Sequence, residues 1–413
     1  MRSAIIRRAQ ALAAAPATRA VALLLVCGAC GITDVSNPGP IQDEALESPA
    51  AGATVLVGLV SDIEVAAGSA AYYAGVASTD LTADATQGWV QNMGAGRLLE
   101  EESSYIWDEV MAARWTSEQG IARLERTQAN PESNPLVAAA YLWAGYANRI
   151  AGDIACVAVF DGGPAMPNSE FYTRAAAHFE KAGAMATAIG ASMDSIRLAA
   201  RAGLAQAHLI LGNYDVAAGH AATVPSGFLW VAHRSANSAR EQNRVWESTV
   251  LSTQATVHGT YSASLGPSGD PRTRWIDLNK TGSSGGHPYY QQMKYAGRGD
   301  DIPLAKGAEM RLIEAEVLLR RGALGAAMDK INEVRTAAGV AAVAATTVAQ
   351  AWVALDRERH LVLWLEGRRL KDNARLSAPG LSSWSAEFMV GRDNCFPPSL
   401  NEVASNPNLR RGL

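Results

Sequence analysis

Side chains able to do chemistry concentrate in three stretches of the sequence. Cys27-x-x-Cys30 stands behind an apolar run, and Asp80-Leu-Thr-Ala-Asp84 sets two carboxylates four residues apart. Glu358-Arg-His-Leu-Val-Leu-Trp-Leu-Glu366-Gly-Arg-Arg369 mixes acid, base and imidazole. A Cys-x-x-Cys pair does redox chemistry in a βαβ setting, or holds zinc when a second ligand pair follows, and neither context is present. The Asp80–Asp84 run lacks the loop spacing of an EF-hand calcium site. The seven histidines are scattered, and no HExxH, GxSxG or phosphate-binding loop occurs. No catalytic set, metal site or cofactor is therefore expected. The Glu/Arg/His run 354–376 reads as one helix whose charges form internal ion pairs, with Gly367 allowing a close helix contact.

The elements that position these residues are mainly helical. Nearly half of the 413 residues are hydrophobic, 18% are charged, and alanine makes up about a fifth of the chain. That composition excludes a disordered chain and disfavours a β-sandwich or barrel. Lys and Arg number 36 against 40 Asp and Glu. Four of those cations, Arg2, Arg7, Arg8 and Arg19, lie in the first 20 residues, so the body is more acidic than the whole. With no basic stripe, nucleic acid is not an expected partner.

Residues 1–29 read as an export signal: a basic segment, the short apolar run Val21–Val26, then small residues. The run is too short to span a bilayer, which takes about 20 residues. Gly28-Ala29 before Cys30 resembles the lipobox of bacterial lipoproteins, although the position three before the cysteine is Cys27 rather than the usual Leu. The resemblance implies lipidation of Cys30. Residues 30–45 then form an extended tether, since Pro38, Gly39 and Pro40 prevent a helix there. Export leaves Cys156 and Cys395 in an oxidising compartment, and their spacing alone leaves open whether they meet.

Residues 46–413 read as one domain. Leu324, Ala327, Met328, Ile331 and Val334 share one face of a 3.6-residue period, and the preceding Glu309–Leu319 is helical too. Gly322 separates the two, and Gly339 ends the second. Leu204–Leu211, Gly212 and Asp215–Val224 repeat that form, and 137–189 offers another pair. In two pairs an alanine, Ala217 or Ala327, follows the glycine by five and is expected at the helix contact. These resemble tetratricopeptide repeats, with spacing too uneven for a regular solenoid. Residues 226–300 lose the helical period and carry Trp230, Trp246, Tyr261, Trp275, Tyr289, Tyr290 and Tyr295. They are expected to form an irregular lobe with short strands, since a structureless loop of that length is improbable.

Together, the lipobox-like Cys30, the helix pair 309–335, the run Glu358–Leu376 and the ending Pro398-Ser399…Asn406-Pro407-Asn408-Leu409 resemble the SusD/RagB family of outer-membrane nutrient-binding lipoproteins. Asp270-Pro271-Arg272 fits as well. The Ala-rich stretch 337–351 and a shorter chain depart from the pattern and point to a smaller ligand surface. The resemblance implies a mainly α fold with four tetratricopeptide-like helix pairs as a scaffold and the irregular lobe packed on it. It also implies a lipid-anchored location on the outer membrane, facing the cell surface. The implied function is to bind a glycan or similar nutrient as the lid of a TonB-dependent, SusC-like transporter. The alternative is a helical-repeat scaffold that binds protein and no nutrient.

Sugars present apolar C–H faces that stack on aromatic rings, with hydrogen-bonding groups beside them. Two places supply both. The first is Tyr72-Tyr73 to Trp89 with Asp80, Asp84, Gln87 and Asn92. The second is Trp275, Tyr289 and Tyr290 beside Asn279 and His287. Trp89, among the polar or small residues Gln87, Gly88 and Gln91, reads as a loop tip and is the leading ligand contact.

Overall fold

The computed structural model describes residues 43–409. The export signal of residues 1–29, Cys30 and nearly all of the tether lie outside them.

Helix α1, Gly52–Ala77, begins the body. From Ala66 to Ala77 every residue is buried, as expected of a segment apolar on all sides. The short α2, Gly88–Gly94, and the long α3, Glu100–Thr127, follow. Next come α4, Pro135–Ile154, α5, Ser169–Ile189, α6, Asp194–Ile210, and α7, Tyr214–Ala222. After the lobe come α8, Gly307–Arg320, α9, Leu324–Ala337, α10, Val348–Val362, and α11, Arg369–Leu376. Each helix from α4 to α7 packs on its successor, α7 packs on α8, and α8 packs on α9 and α10.

Small residues set the spacing of these helices. A Cβ at Gly145 of α4 would lie 2.6 Å from the Phe179 ring, and one at Gly203 of α6 would lie 2.4 Å from it. Phe179, on α5, thus fills a slot between two glycines and is fully buried. Ala217 and Ala327 are both fully buried, the first on α7 and the second on α9, as the repeat pattern predicts. Gly212 and Gly322 turn the two pairs with φ of +77° and +75°.

The lobe contains real strands. Strand β5, Ala255–Thr256, pairs with β1, Thr82–Ala83, from outside the lobe; β2, Val157–Ala158, and β3, Met166–Pro167, pair with each other between α4 and α5. Strand β4, Leu229–Ala232, runs antiparallel to β8, Ile302–Lys306, so the lobe leaves and rejoins the helices at one place. Strands β6, Trp275–Thr281, and β7, Pro288–Gln292, form a hairpin with Trp275 opposite Gln292.

One expectation is corrected. The stretch 354–376 is two helices, because the chain turns between Val362 and Arg369. Leu365 has φ +57° and Gly367 φ +73°. A Cβ on Gly367 would meet the backbone of Ala70 on α1 at 3.1 Å, so the turn presses directly on the core helix. Buried groups hold it there. Asp80 accepts from the Leu365 N–H at 3.0 Å, and the Tyr295 hydroxyl donates to the Leu365 carbonyl at 3.0 Å.

Cys156 and Cys395 form a disulfide. It lies beside a parallel bridge of Ala155 to Phe396, in which Phe396 N–H donates to Ile154 O at 2.7 Å. The C-terminal motif works as a fastening. Ser399 caps the helix Leu400–Ser405 through the Glu402 N–H at 3.2 Å, and Asn406 donates to Gly163 O at 2.9 Å.

Candidate binding surface

The Glu/Arg/His run is buried ion pairing, as its reading as a structural element predicts. Glu358 is clamped by Arg272 of the lobe and, at 2.8 Å, by Arg335 of α9. Asp270 braces Arg272 in turn at 2.7 Å, so the Asp-Pro-Arg motif stitches the lobe to α10. Arg359 pairs with Asp372 at 2.9 Å, Arg368 with Glu309 at 2.9 Å and Asp153 at 3.0 Å, and Arg369 with Asp356 at 2.5 Å. Glu366 receives both Lys294 and Lys306 at 2.5 Å. Burial pushes Lys294 down to about 8; Lys306 beside it adds to this, and Glu366 opposes it. The Asp372 carboxyl is held well below its ordinary value: burial would raise it, and Arg359 and Arg375 outweigh that. Apart from Arg335, which also borders a groove, these groups spend their charge on protein partners.

The Asp80–Asp84 run is also structural. Asp80 is 1% exposed and serves the 362–369 turn, with His360 Nδ1 3.2 Å from its carboxylate. Asp84 is fully buried. Its carboxylate accepts from the Gly282 N–H at 3.0 Å, the Gly286 N–H at 3.2 Å, the His287 N–H at 3.3 Å and the Ser284 hydroxyl. That cradle pins the tip of the β6–β7 hairpin to the segment before Trp89. Among the described residues, no group of three or more His, Cys, Asp or Glu is arranged to hold a metal ion.

The aromatic candidates divide into inner and outer rings. Tyr72 and Tyr289 are fully buried, and burial pushes both phenols well above their ordinary value. Tyr73 is buried and receives a hydrogen bond from Arg244 at 2.8 Å. Trp275 is nearly buried and stacks on the half-buried Tyr290, with centroids 4.2 Å apart and planes 9° apart. Tyr72, Asp80 and Tyr289 therefore belong to the interior, because helix α1 and the hairpin turn them inward.

Trp89 sits differently. Thr86, Gln87 and Gly88 before it are exposed, and α2 starts at Gly88. Its ring stacks on Tyr105, with centroids 4.1 Å apart and planes 19° apart, and tilts against Tyr73 at 5.8 Å. Tyr105 is 47% exposed, so the pair forms a rim of ring surface facing solvent. Around it, Asn92 donates to Glu102 at 2.7 Å, and Arg97 donates to Asn92 at 2.6 Å. Tyr105 did not emerge from the sequence. Its signal is positional: Glu101, Tyr105, Ala112 and Trp115 share the exposed face of α3, where an amphipathic helix carries charge, and Trp115 is 50% exposed.

Comparison with solved structures bears on the fold. A crystal structure of a SusD superfamily protein from Bacteroides thetaiotaomicron superposes with a TM-score of 0.68 at 15% identity, covering 88% of this chain and 98% of that one. A SusD-like carbohydrate binding protein from Bacteroides vulgatus gives 0.67 at 14% identity over the same shares. A SusD superfamily protein from Parabacteroides distasonis gives 0.64 at 12% identity, covering 86% and 98%. No protein-family model matches the sequence, and no curated protein does. The chain has the SusD-like fold, mainly helical and matched over almost the whole length of these structures.

Proposed function

We propose that this chain is a SusD/RagB-type lipoprotein of the outer membrane that binds a glycan at the cell surface and covers a TonB-dependent, SusC-like transporter. One observation carries the reading: on a SusD-like fold, the solvent-facing Trp89–Tyr105 stack offers flat ring surface beside Gln87, Gln91 and Asn92. A pyranose ring matches that combination, with its C–H face on the rings and its hydroxyls on the amides. The similarity to a carbohydrate binding protein of Bacteroides vulgatus supports the ligand class. Cys30 carries the lipid, and residues 30–45 give the domain reach from the membrane.

The test is titration of an oligosaccharide panel against the wild type, Trp89→Ala and Tyr105→Ala, with circular dichroism on each variant. Affinity for the preferred glycan should fall about tenfold or more in either variant while the fold persists. Unchanged affinity in folded variants removes the platform from the site. Mild detergent extraction should bring down an outer-membrane transporter with the protein, and elution alone in several detergents favours the protein-binding scaffold. Mass spectrometry of the mature N-terminus should find acylated Cys30.

A further inference from the structure

One groove among the described residues shares no lining residue with the Trp89 rim. It has a volume of about 560 Å³ and runs between α10 and the coil 338–347, which belongs to the Ala-rich stretch. Two arginines, Arg335 and Arg357, line it, and no Asp or Glu does. Arg335 spends Nε on Ala341 O at 2.7 Å and Nη1 on Glu358 at 2.8 Å, leaving Nη2 over. Arg357 is exposed and makes no ion pair among the described residues. Its guanidinium lies 5.7 Å from the Tyr261 ring and 5.8 Å from the Trp384 ring. Burial lifts the Tyr261 phenol above its ordinary value; Arg357 and Arg335 pull it back, while Glu358 and Asp270 add to the rise.

Gln350 and Ser383 complete the polar lining. Gln350 turns its carbonyl oxygen back to cap α10, accepting from Thr346 N–H at 2.8 Å and Thr347 N–H at 3.2 Å. Its NH₂ is then the end left for the groove, at the positive first turn of the helix. Gln350, Val353, Arg357 and Leu361 recur at helical spacing on one face of α10, so donors and apolar side chains alternate along the groove, and Val343 adds an apolar wall from the coil.

We infer that this groove binds a carboxylate-bearing sugar unit, a uronic acid within an acidic glycan, with the carboxylate between Arg357, Arg335 and the Tyr261 hydroxyl. Two guanidiniums suit a planar carboxylate, and the apolar wall and the Tyr261 ring suit one face of a pyranose. The groove offers no unpaired strand edge, the feature by which an extended peptide is usually held. The site is separate from the Trp89 rim, so it stands or falls independently of the function proposed above.

The test uses the full mature domain and isothermal titration with short oligouronides of galacturonate, glucuronate and mannuronate, their methyl esters, and an acidic peptide. At least one oligouronide should bind, its methyl ester should bind about tenfold more weakly or worse, and added salt should weaken it. Arg357→Gln should cost about tenfold or more, and Arg357→Lys should restore part of the loss. Arg357 is exposed and makes no ion pair, so its substitution leaves the fold intact, which circular dichroism checks. The inference is overturned if no oligouronide binds, if ester and acid bind alike, if Arg357→Gln binds as the wild type, or if the acidic peptide binds more tightly than every uronide.

Discussion

The interior around the 362–369 turn and the rim around Trp89 invert the usual distribution of residue types. The first buries charge: Glu358, Arg359, Glu366, Arg368 and Arg369 all lie inside, paired. The second exposes rings: Tyr105 and Trp115 stand on the solvent face of a helix. Buried pairs are costly to desolvate and contribute mainly when every partner is present. They fix one arrangement of helices α8, α10 and α11 against the lobe and α4. Exposed rings contribute little to the fold and are free for a ligand. The stretch that most resembles an active site is therefore scaffold, and the proposed binding surface is built from ordinary-looking aromatics.

The strongest way to break this contrast is at Glu366. Glu366→Gln leaves Lys294 and Lys306 buried without their shared counter-charge, and stability should fall by about 3–5 kcal/mol in denaturant titration. A loss below about 1 kcal/mol would make the cluster dispensable. Next is Glu118, on the inner side of the helix that carries Tyr105. Burial would raise its carboxyl, but His178 and Arg114 hold it down at about 2. A carboxylate depressed in the folded state adds stability above about 4.5 that disappears as pH falls through about 2. Glu118→Gln should therefore lose roughly 2–3 kcal/mol at neutral pH and flatten the acid-unfolding curve over that window. Ala327→Leu comes third. Overpacking between α8 and α9 should cost about 1–3 kcal/mol in thermal melts, and an unchanged midpoint would remove Ala327 from the helix contact. The smallest effect belongs to the rim: Tyr105→Ala should shift stability by less than about 1 kcal/mol while still weakening glycan binding. A larger loss of stability than of affinity would merge the two regions into one.

The helix pairs were legible because their period and turn glycines are local signals. Gly212, Gly322 and Gly339 adopt the left-handed conformation their positions call for, and Ala217 and Ala327 are buried. The break at 362–369 was not legible. Leu361 to Leu365 continues a helical pattern, and the reason for the turn is remote: Asp80, Tyr295 and Lys294 bind its backbone from other segments. Pairing of Cys156 with Cys395 likewise depends on Phe396 joining the end of α4. The small and polar neighbours of Trp89 read as a loop tip, but they mark the exposed start of α2, in whose first turn Trp89 sits half-buried. Tyr72 was misplaced because the unbroken apolar character of Ala66–Ala77, itself a sign of burial on all sides, was outweighed by the attraction of two adjacent tyrosines. Tyr105 escaped because a lone ring in an acidic helix start looks like an ordinary surface residue.

The disulfide carries a consequence for how the molecule is made. Its two sulfurs belong to residues 239 apart, and the later one sits in the segment that also bonds to Gly162, Gly163 and Asp108. During synthesis the helical scaffold up to Leu376 emerges whole before Cys395 does. Closing the disulfide therefore needs the C-terminal segment, made after the helices, to reach the end of α4. Protein kept under reducing conditions would lack that last clasp, and a mobility shift on non-reducing gels would separate the oxidised form from the reduced one.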